Sequence, residues 1–288
     1  MEAQAELRII RAAYAKQITA AARVDNARLV QAFAAIPRED FVGSGPWMMR
    51  WMSAYVPTPD ADPVYLYTDG LVALVPERSL NNGQPSLHAH LMQQASPVAG
   101  EHVVHVGTGA GYYTAIFSHL VGPSGRVTGI EYDPDLAARA RACLAPYPNV
   151  TVVEGDGARV PFDAADIIYV NAGCTQPAER WLDNLCNGGR LILPMTSDQG
   201  FGGVAPGQMS RAGAVFRIER RGNEYRASWI SPVAIFPCAG NRDETSERAL
   251  AEAFARGGWE KVKRLYRNGD IPEERCWVRG PDWCLAYD

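Results

Sequence analysis

"HVVHVGTGAGYYTA", residues 102–115, opens as a run of strand-forming side chains, passes through Gly107, Gly109 and Gly111, and enters a helix-forming segment at once. A strand that turns straight into a helix leaves the amides of the first helical turn unpaired and aimed at whatever lies over the loop. Glycine suits such a loop because the turn is tight and no Cβ stands between backbone and ligand. A dinucleotide loop of the form G-x-G-x-x-G would carry glycine at position 112, where this chain has Tyr112. The loop is therefore G-x-G-x-G, which suits a smaller ligand without a pyrophosphate.

Outward from this stretch, strand and helix alternate. "RVTGI" (126–130) is followed by a helix through Arg141, then come "VTVVEG" (150–155), "ADIIYV" (165–170), "LCNGGRLILP" (185–194) and "AVFRIER" (214–220). This order predicts a doubly wound, mostly parallel α/β sheet, with a late antiparallel pair over residues 213–232. Upstream, residues 4–23 are alanine-rich with apolar positions at helical spacing, and Asp25 or Asn26 can cap a second helix through Ile36. Residues 43–62, rich in proline, glycine and aromatics, read as a loop or lid, and residues 64–77 alternate like a short hairpin. "NNGQPSLHAH" (81–90) forbids regular structure through Pro85 and predicts a helix from Ser86. Residues 245–256 read as a helix, and the tail from Cys276 as a small hairpin or docked strand. Three regions follow: helices and lid over 1–80, a core over 81–240, and a helix with tail over 241–288.

Composition narrows the function classes. The formal charge is −4, from 28 Lys and Arg against 32 Asp and Glu, and the only lysines are Lys16, Lys261 and Lys263. Neither nucleic acid nor an anionic membrane is favoured by that balance. No apolar run approaches the roughly 20 residues that span a bilayer, and the first residues lack a secretory h-region, so the expected address is the cytoplasm. Six cysteines show no C-x-x-C pair and no zinc spacing, and are expected to be reduced thiols. Cys276 and Cys284 can face each other in a terminal hairpin, but a reducing compartment disfavours a bond between them.

Two acidic strand ends join the glycine loop. Glu131 closes its strand 20 residues after Gly111, where a carboxylate can accept both hydroxyls of a ribose. The next strand runs into "EGDG", placing Asp156 where an adenine amino group can donate to it. One such acid is ordinarily a cap or a solvated residue. Three strand ends in this order converge on one nucleoside at the carboxyl edge of the sheet.

With these residues the chain resembles the class I S-adenosylmethionine methyltransferases and, within them, the protein-L-isoaspartate O-methyltransferases. The similarity spans about residues 26–240 and rests on "AFAAIPREDFV", "VVHVGTGAGYYTA", "GRVTGIEYDPDLAARAR", "NVTVVEGDG", "GGRLILP" and "SPVAIFPCAG", in the family's order. The resemblance implies a seven-stranded Rossmann-like sheet with one reversed strand, extended by N-terminal helices and a C-terminal segment. It implies S-adenosylmethionine as methyl donor. Gly107, Thr108, Gly109, Gly111 and Tyr112 would wrap its methionine part, Glu131 and Tyr132 would meet the ribose, and Asp156 with Gly157 the adenine. His105 stands where the family carries Asp or Glu. A neutral imidazole can accept one hydrogen bond in place of the acid, whereas an imidazolium would repel the cofactor's ammonium and sulfonium. His105 is therefore expected to be neutral.

The acceptor side lies in "NNGQPSLHAH". The resemblance implies that Asn81 and Asn82 pass over the cofactor, that Gln84 and Pro85 keep the turn, and that His88 matches a cofactor-contacting histidine of some relatives. It places Gly83 at the family's catalytic or acceptor-positioning serine, so that hydroxyl is absent; Ser86, across the proline, is the nearest substitute. His88 and His90 point about 200° apart on one helix and cannot share a site; His90 reads as structural. Asn171, ending the strand "ADIIYV", is an acceptor-side candidate or a turn-forming residue, and Tyr112, Tyr113 and Tyr169 line the pocket or pack.

A carboxylate acceptor needs no general base, unlike an amine or alcohol. The leading expectation is methylation of a carboxyl group on a peptide, protein or small metabolite, with Gly83 counting against plain isoaspartate repair. The alternatives are an N- or O-methyltransferase of RNA or DNA adenine or of a small molecule, motivated by Asn171, and a binding protein without activity. The sequence leaves the oligomeric state open.

Overall fold

The computed structural model describes residues 2–51, 54–78, 80–198, 213–267 and 273–288. The first elements are α1 (Glu2–Ala21), α2 (Ala27–Ala35), β1 (Met48–Trp51), β2 (Ala54–Pro57), β3 (Ala73–Val75), β4 (Leu80–Asn81) and α3 (Pro85–Ala95). There follow β5 (His102–Val106), α4 (Tyr112–Val121), β6 (Arg126–Glu131), α5 (Pro134–Leu144), β7 (Val150–Glu154), β8 (Ala165–Val170), α6 (Glu179–Asp183) and β9 (Leu185–Thr196). The last are β10 (Gly213–Arg221), β11 (Glu224–Val233), α7 (Glu244–Arg256), β12 (Arg264–Arg267), β13 (Cys276–Arg279) and β14 (Trp283–Ala286). These form two compact units, one of Met1–Glu101 with Thr108–Glu154 and one of His102–Gly107 with Gly155–Asp288.

In the first unit α1 packs on α2 and α3. The Asn26 side chain caps α2 by accepting from the Arg28 and Leu29 amides, and the helix buries Leu29, Ala32 and Phe33. It stops at Ile36, because Pro37 disfavours helical backbone in the residue before it. β6 and β7 pair in parallel from Val127↔Val150 to Glu131↔Glu154. Between loop and strand, α4 buries Ala115, Ile116, Phe117, Leu120 and Val121. At about 1.5–3 kcal/mol for each large apolar side chain, that burial fixes where the helix can sit. Asp133 caps α5 and Pro134 occupies its first turn.

The region read as a loop or lid carries more structure than its proline and glycine content suggests. β1 and β2 pair in antiparallel fashion, and Trp47 is buried with Val42, Leu66 and Val72, its indole N–H donating to the Gly43 carbonyl at 2.8 Å. Nor do residues 64–77 form one hairpin. Asp62 accepts from the Val64 amide and Pro63 fixes the first φ, so Pro63–Leu66 becomes a 3-10 turn, and β3 pairs instead with β4.

In the second unit β5 and β8 run parallel from Val103↔Ile167 to Val106↔Val170, and β8 runs parallel to β9. Every residue of β5 is buried, as expected of a strand covered on both faces. β10 is antiparallel to both β9 and β11, which makes it the one reversed strand among β5 and β8 to β11. The tail from Cys276 forms the expected hairpin, β13 against β14, docked on β12. β12 pairs with β11, β14 with β12 and β13 with β14, so three strands are added to this sheet. Trp277 of β13 is fully buried against Phe216 and Phe254, which anchors the addition. Cys276 and Cys284 are joined by a disulfide across the β13–β14 hairpin, correcting the expectation of six reduced thiols; Cys143, Cys174, Cys186 and Cys238 remain free. No helix among the described residues is long and apolar enough to cross a membrane.

Candidate active site

The glycine loop and Glu131 are hydrogen-bonded to each other in the first unit. The Thr108 amide donates to the Ile130 carbonyl at 3.2 Å, and the Gly109 amide to Glu131 Oε2 at 2.6 Å. Glu131 Oε1 accepts from the Asp133 amide at 3.1 Å, and the residue is only 7% exposed. Burial raises its pKa above the ordinary value, while the two amide bonds pull the other way. At Gly111 φ is +103°, and a Cβ would stand 2.7 Å from Leu144 of α5, so no other residue fits between loop and helix. No side chain caps α4, which begins at once with Tyr112. The Tyr112 ring is packed among Phe33, Phe41 and Tyr113, leaving its backbone as the part that faces the loop. Tyr132, by contrast, is 56% exposed.

The segment before α3 is held by two residues the sequence reading missed. Arg38, fully buried, donates to the carbonyls of Leu66, Thr68 and Gly70 and to Asn82 Oδ1. Asn82 also accepts from the Val72 amide at 3.0 Å, so it anchors the strap from beneath. Asp69 receives the Ser86 amide at 2.7 Å, the Ser86 hydroxyl at 2.6 Å and the Gln84 side chain at 2.8 Å. It thereby caps α3 from a distance and engages the Ser86 hydroxyl, the nearest substitute for the missing serine. Asn81 accepts from the Gly83 amide at 2.9 Å and donates to Tyr55.

Gly83 is shaped by His88. Its φ is +76°, and a Cβ built on it would lie 2.3 Å from His88 Nε2. The imidazole is buried and stacked on Tyr113 at 3.6 Å between ring centroids, with 16° between planes. Tyr113 in turn donates to the Gly83 carbonyl at 3.1 Å, which ties the strap to the start of α4. In this backbone the volume of a side chain at position 83 is already filled by the histidine ring. His90 is half-buried, as its structural reading allows.

In the second unit the Asn171 amide donates to the Val106 carbonyl at 2.8 Å, and its side-chain nitrogen to the Gly107 carbonyl at 3.2 Å. Gly107 has φ +80°, and a Cβ there would approach the Asn171 carbonyl to 3.1 Å. Asn171 therefore supports the glycine turn, the plainer of its two readings. His105 is fully buried, edge-on to Tyr169 at 5.5 Å, and burial lowers its pKa to about 3, so the ring is neutral as expected. Tyr169, also fully buried, packs rather than lines a pocket.

Asp156 accepts from the Ala158 amide at 2.9 Å and pairs with Arg159 at 3.2 Å. Gly157 cannot carry a Cβ, which would meet Val106 at 2.4 Å, and its carbonyl accepts from the Trp181 indole at 2.7 Å. A cavity of about 310 Å³ next to Asp156 is bordered by Arg159, Gln176, Gly240 and Asn241 and by Arg267 and Trp283 of the tail. The C-terminal extension thus forms part of the wall of this cavity.

A glycine loop hydrogen-bonded to a buried strand-end acid is a nucleoside-binding arrangement of the doubly wound fold, and the fold around it is that of the class I methyltransferases. The solved structures agree on the fold: a protein-L-isoaspartate O-methyltransferase superposes with a TM-score of 0.65 over 91% of this chain and 73% of its own, at 24% identity. A Plasmodium falciparum chain described by the same activity, solved with S-adenosyl-L-homocysteine, gives 0.62 over 80% of this chain and 99% of its own, at 16% identity. The profile of the protein-L-isoaspartate (D-aspartate) O-methyltransferase family matches residues 12–203. A protein-L-isoaspartate O-methyltransferase of Ignicoccus hospitalis is 34% identical over 157 residues, 53% of this chain and 69% of the relative. The chain belongs to this family, and it is an S-adenosylmethionine-dependent methyltransferase.

Proposed function

We propose that this enzyme methylates a carboxyl group of a peptide or protein, and that Gly107, Thr108, Gly109, Gly111, Glu131, Asp156 and Gly157 take the cofactor roles implied by the resemblance. The observation that supports the cofactor roles best is the buried carboxylate of Glu131. Its two oxygens already hold the Gly109 and Asp133 amides, so it is oriented before any hydroxyl arrives. A carboxylate so held fits a ribose, because each oxygen has a second lone pair to offer. S-adenosylmethionine supplies a methyl group on a sulfonium, already activated for displacement. What the protein adds is orientation and exclusion of water, which together account for about 7–11 kcal/mol of barrier at best.

A carboxylate acceptor fits the acceptor-side residues because it needs no base to remove a proton. Gly83 offers no hydroxyl and Ser86 donates to Asp69, which leaves His88, stacked on Tyr113, as the polar side chain filling the position-83 volume. The protein membership of the family supports a peptide or protein over a small metabolite as acceptor.

Binding of S-adenosyl-L-homocysteine followed by turnover on isoaspartyl and aspartyl peptides tests both parts. Carboxyl methylation yields an ester that releases methanol in mild base. Labelled methyl that stays on the product through base would move the acceptor to nitrogen or an ether oxygen, and no binding of the homocysteine product would overturn the cofactor roles.

A further inference from the structure

In the second unit the segment after β8 runs beside the segment after β11. Gly173 and Pro237 form a parallel bridge, with the Gly173 amide donating to the Phe236 carbonyl at 2.6 Å and the Cys238 amide to the Gly173 carbonyl at 2.8 Å. The next residues in that register are Cys174 and Cys238. Adjacent extended chains lie about 4.8 Å apart and their side chains alternate in step, so both thiols leave the same face within the Cα range of a disulfide, about 4.4–6.8 Å. The two thiols are close enough to perturb each other's ionisation. Each also reaches a carbonyl, Cys174 that of Ala172 at 3.6 Å and Cys238 that of Ala239 at 3.7 Å.

The partners are not equivalent. Cys174 is fully buried, whereas Cys238 is 6% exposed and sits between the exposed residues Pro237 and Ala239. The neighbouring Cys174 thiol draws the Cys238 thiol below its ordinary pKa, and burial pushes Cys174 up. Of the charged groups facing them, Arg242 favours a thiolate and Asp156 opposes it.

We propose that Cys174 and Cys238 form an oxidation site at which a hydroperoxide closes an intramolecular disulfide, Cys238 reacting first and Cys174 resolving. The Cys238 thiolate attacks the outer peroxide oxygen, the O–O bond breaks, and the leaving oxygen takes up a proton as water or an alcohol. Cys174 then attacks the sulfenic sulfur of Cys238; the S–O bond breaks, and the hydroxide leaves as water with the Cys174 proton. Two electrons pass from the thiols to the peroxide.

The bond would tether residues 238–240 to the segment that follows Asn171. Gly240 lies so close to Asp156 that a Cβ there would stand 2.5 Å from the carboxylate, and its φ is +89°. Resting on the adenine role proposed for Asp156, closure of the bridge lowers cofactor affinity.

The test uses the full chain treated with hydrogen peroxide, alkylated and digested without reduction. Peptide mass spectrometry is expected to recover a Cys174–Cys238 peptide pair, alongside the Cys276–Cys284 bridge. In Cys174→Ser, Cys238 is expected to be trapped as a sulfenic acid by dimedone with no bridge. Recovery of both cysteines as alkylated thiols, or Cys238 bridged elsewhere, would overturn the proposal. S-adenosyl-L-homocysteine should bind the oxidised wild type several-fold more weakly than the reduced, while Cys174→Ser/Cys238→Ser keeps its affinity through the same treatment; equal affinities would remove the coupling. If the reduced protein binds no S-adenosyl-L-homocysteine, the cofactor reading fails while a mapped bridge still stands.

Discussion

Gly83→Ser is the substitution that would restore the absent hydroxyl, and the structure sets its cost. A non-glycine residue at φ +76° loses about 1–2 kcal/mol to the left-handed backbone. The new Cβ would then stand 2.3 Å from His88 Nε2, an overlap that flexible side chains relieve by swinging away. His88 has little freedom to do so, being 1% exposed and stacked on Tyr113. Overpacking of this kind costs about 1–3 kcal/mol, so Gly83→Ser should destabilise by about 2–5 kcal/mol in all.

His88→Ala removes the buried ring and its stack, for about 2–4 kcal/mol. In the double variant the serine enters the vacated volume and the overlap vanishes, leaving the backbone strain. The double should therefore be less destabilised than the sum of the singles by about 1–3 kcal/mol. Urea denaturation of the four proteins measures this coupling. Additivity within about 0.5 kcal/mol would refute the steric account and return Gly83 to a simple deletion. Methanol release from an isoaspartyl peptide, measured on the same four proteins, reports whether a hydroxyl at 83 then raises turnover.

Glu131→Ala should weaken S-adenosyl-L-homocysteine binding at least about tenfold, about 1.4 kcal/mol, by isothermal calorimetry. It should also lower the melting temperature, because the Gly109 and Asp133 amides lose their acceptor. Burial raises the Glu131 pKa, and ribose hydroxyls donate to the carboxylate, so cofactor affinity should fall as pH drops through that raised pKa and level off above it. The fall should be absent in Glu131→Gln; a flat wild-type profile would remove the role. Arg38→Met leaves the Leu66, Thr68 and Gly70 carbonyls without their donor inside the protein and Asn82 Oδ1 with the Val72 amide alone, and should cost about 3 kcal/mol or more in chemical denaturation; a loss under about 1 kcal/mol would show that the strap does not depend on it.

The parallel core was legible because buried strands and glycine turns leave local marks. β5 is apolar enough to read as covered on both faces, and the loop after it must be glycine for reasons visible in a few letters. Glu131 was legible for the same reason, since its position at the end of β6 follows from strand length. Arg38 and Asp69 were not, because their partners are backbone groups far along the chain. An arginine that serves Leu66, Thr68 and Gly70 looks like any charged residue in "PRED". The strands of the tail are only four residues each, too short for alternation to show, and are held by Trp277 packing on residues remote in sequence. That Cys276 and Cys284 face each other in a terminal hairpin was legible; the bond between them was not, because a reducing compartment disfavours it and the letters do not fix the compartment.

Gly83 shows how a placement made from letters alone can carry an incomplete inference. Read as letters, it is a serine without its side chain, and the lost hydroxyl looks like an empty place at the acceptor. The backbone gives a different account. At φ +76° the Cβ direction points into the His88 ring, so no serine could occupy that direction while the ring stays on Tyr113. A chain that carries both side chains must hold residue 83 in another φ region or turn the imidazole away, and the Tyr113 hydroxyl is bonded to the carbonyl of that same residue. The glycine, the buried histidine and the tyrosine at the start of α4 are therefore one coupled arrangement. Any change in acceptor preference follows from the three together, and that coupling is what the double-mutant cycle measures.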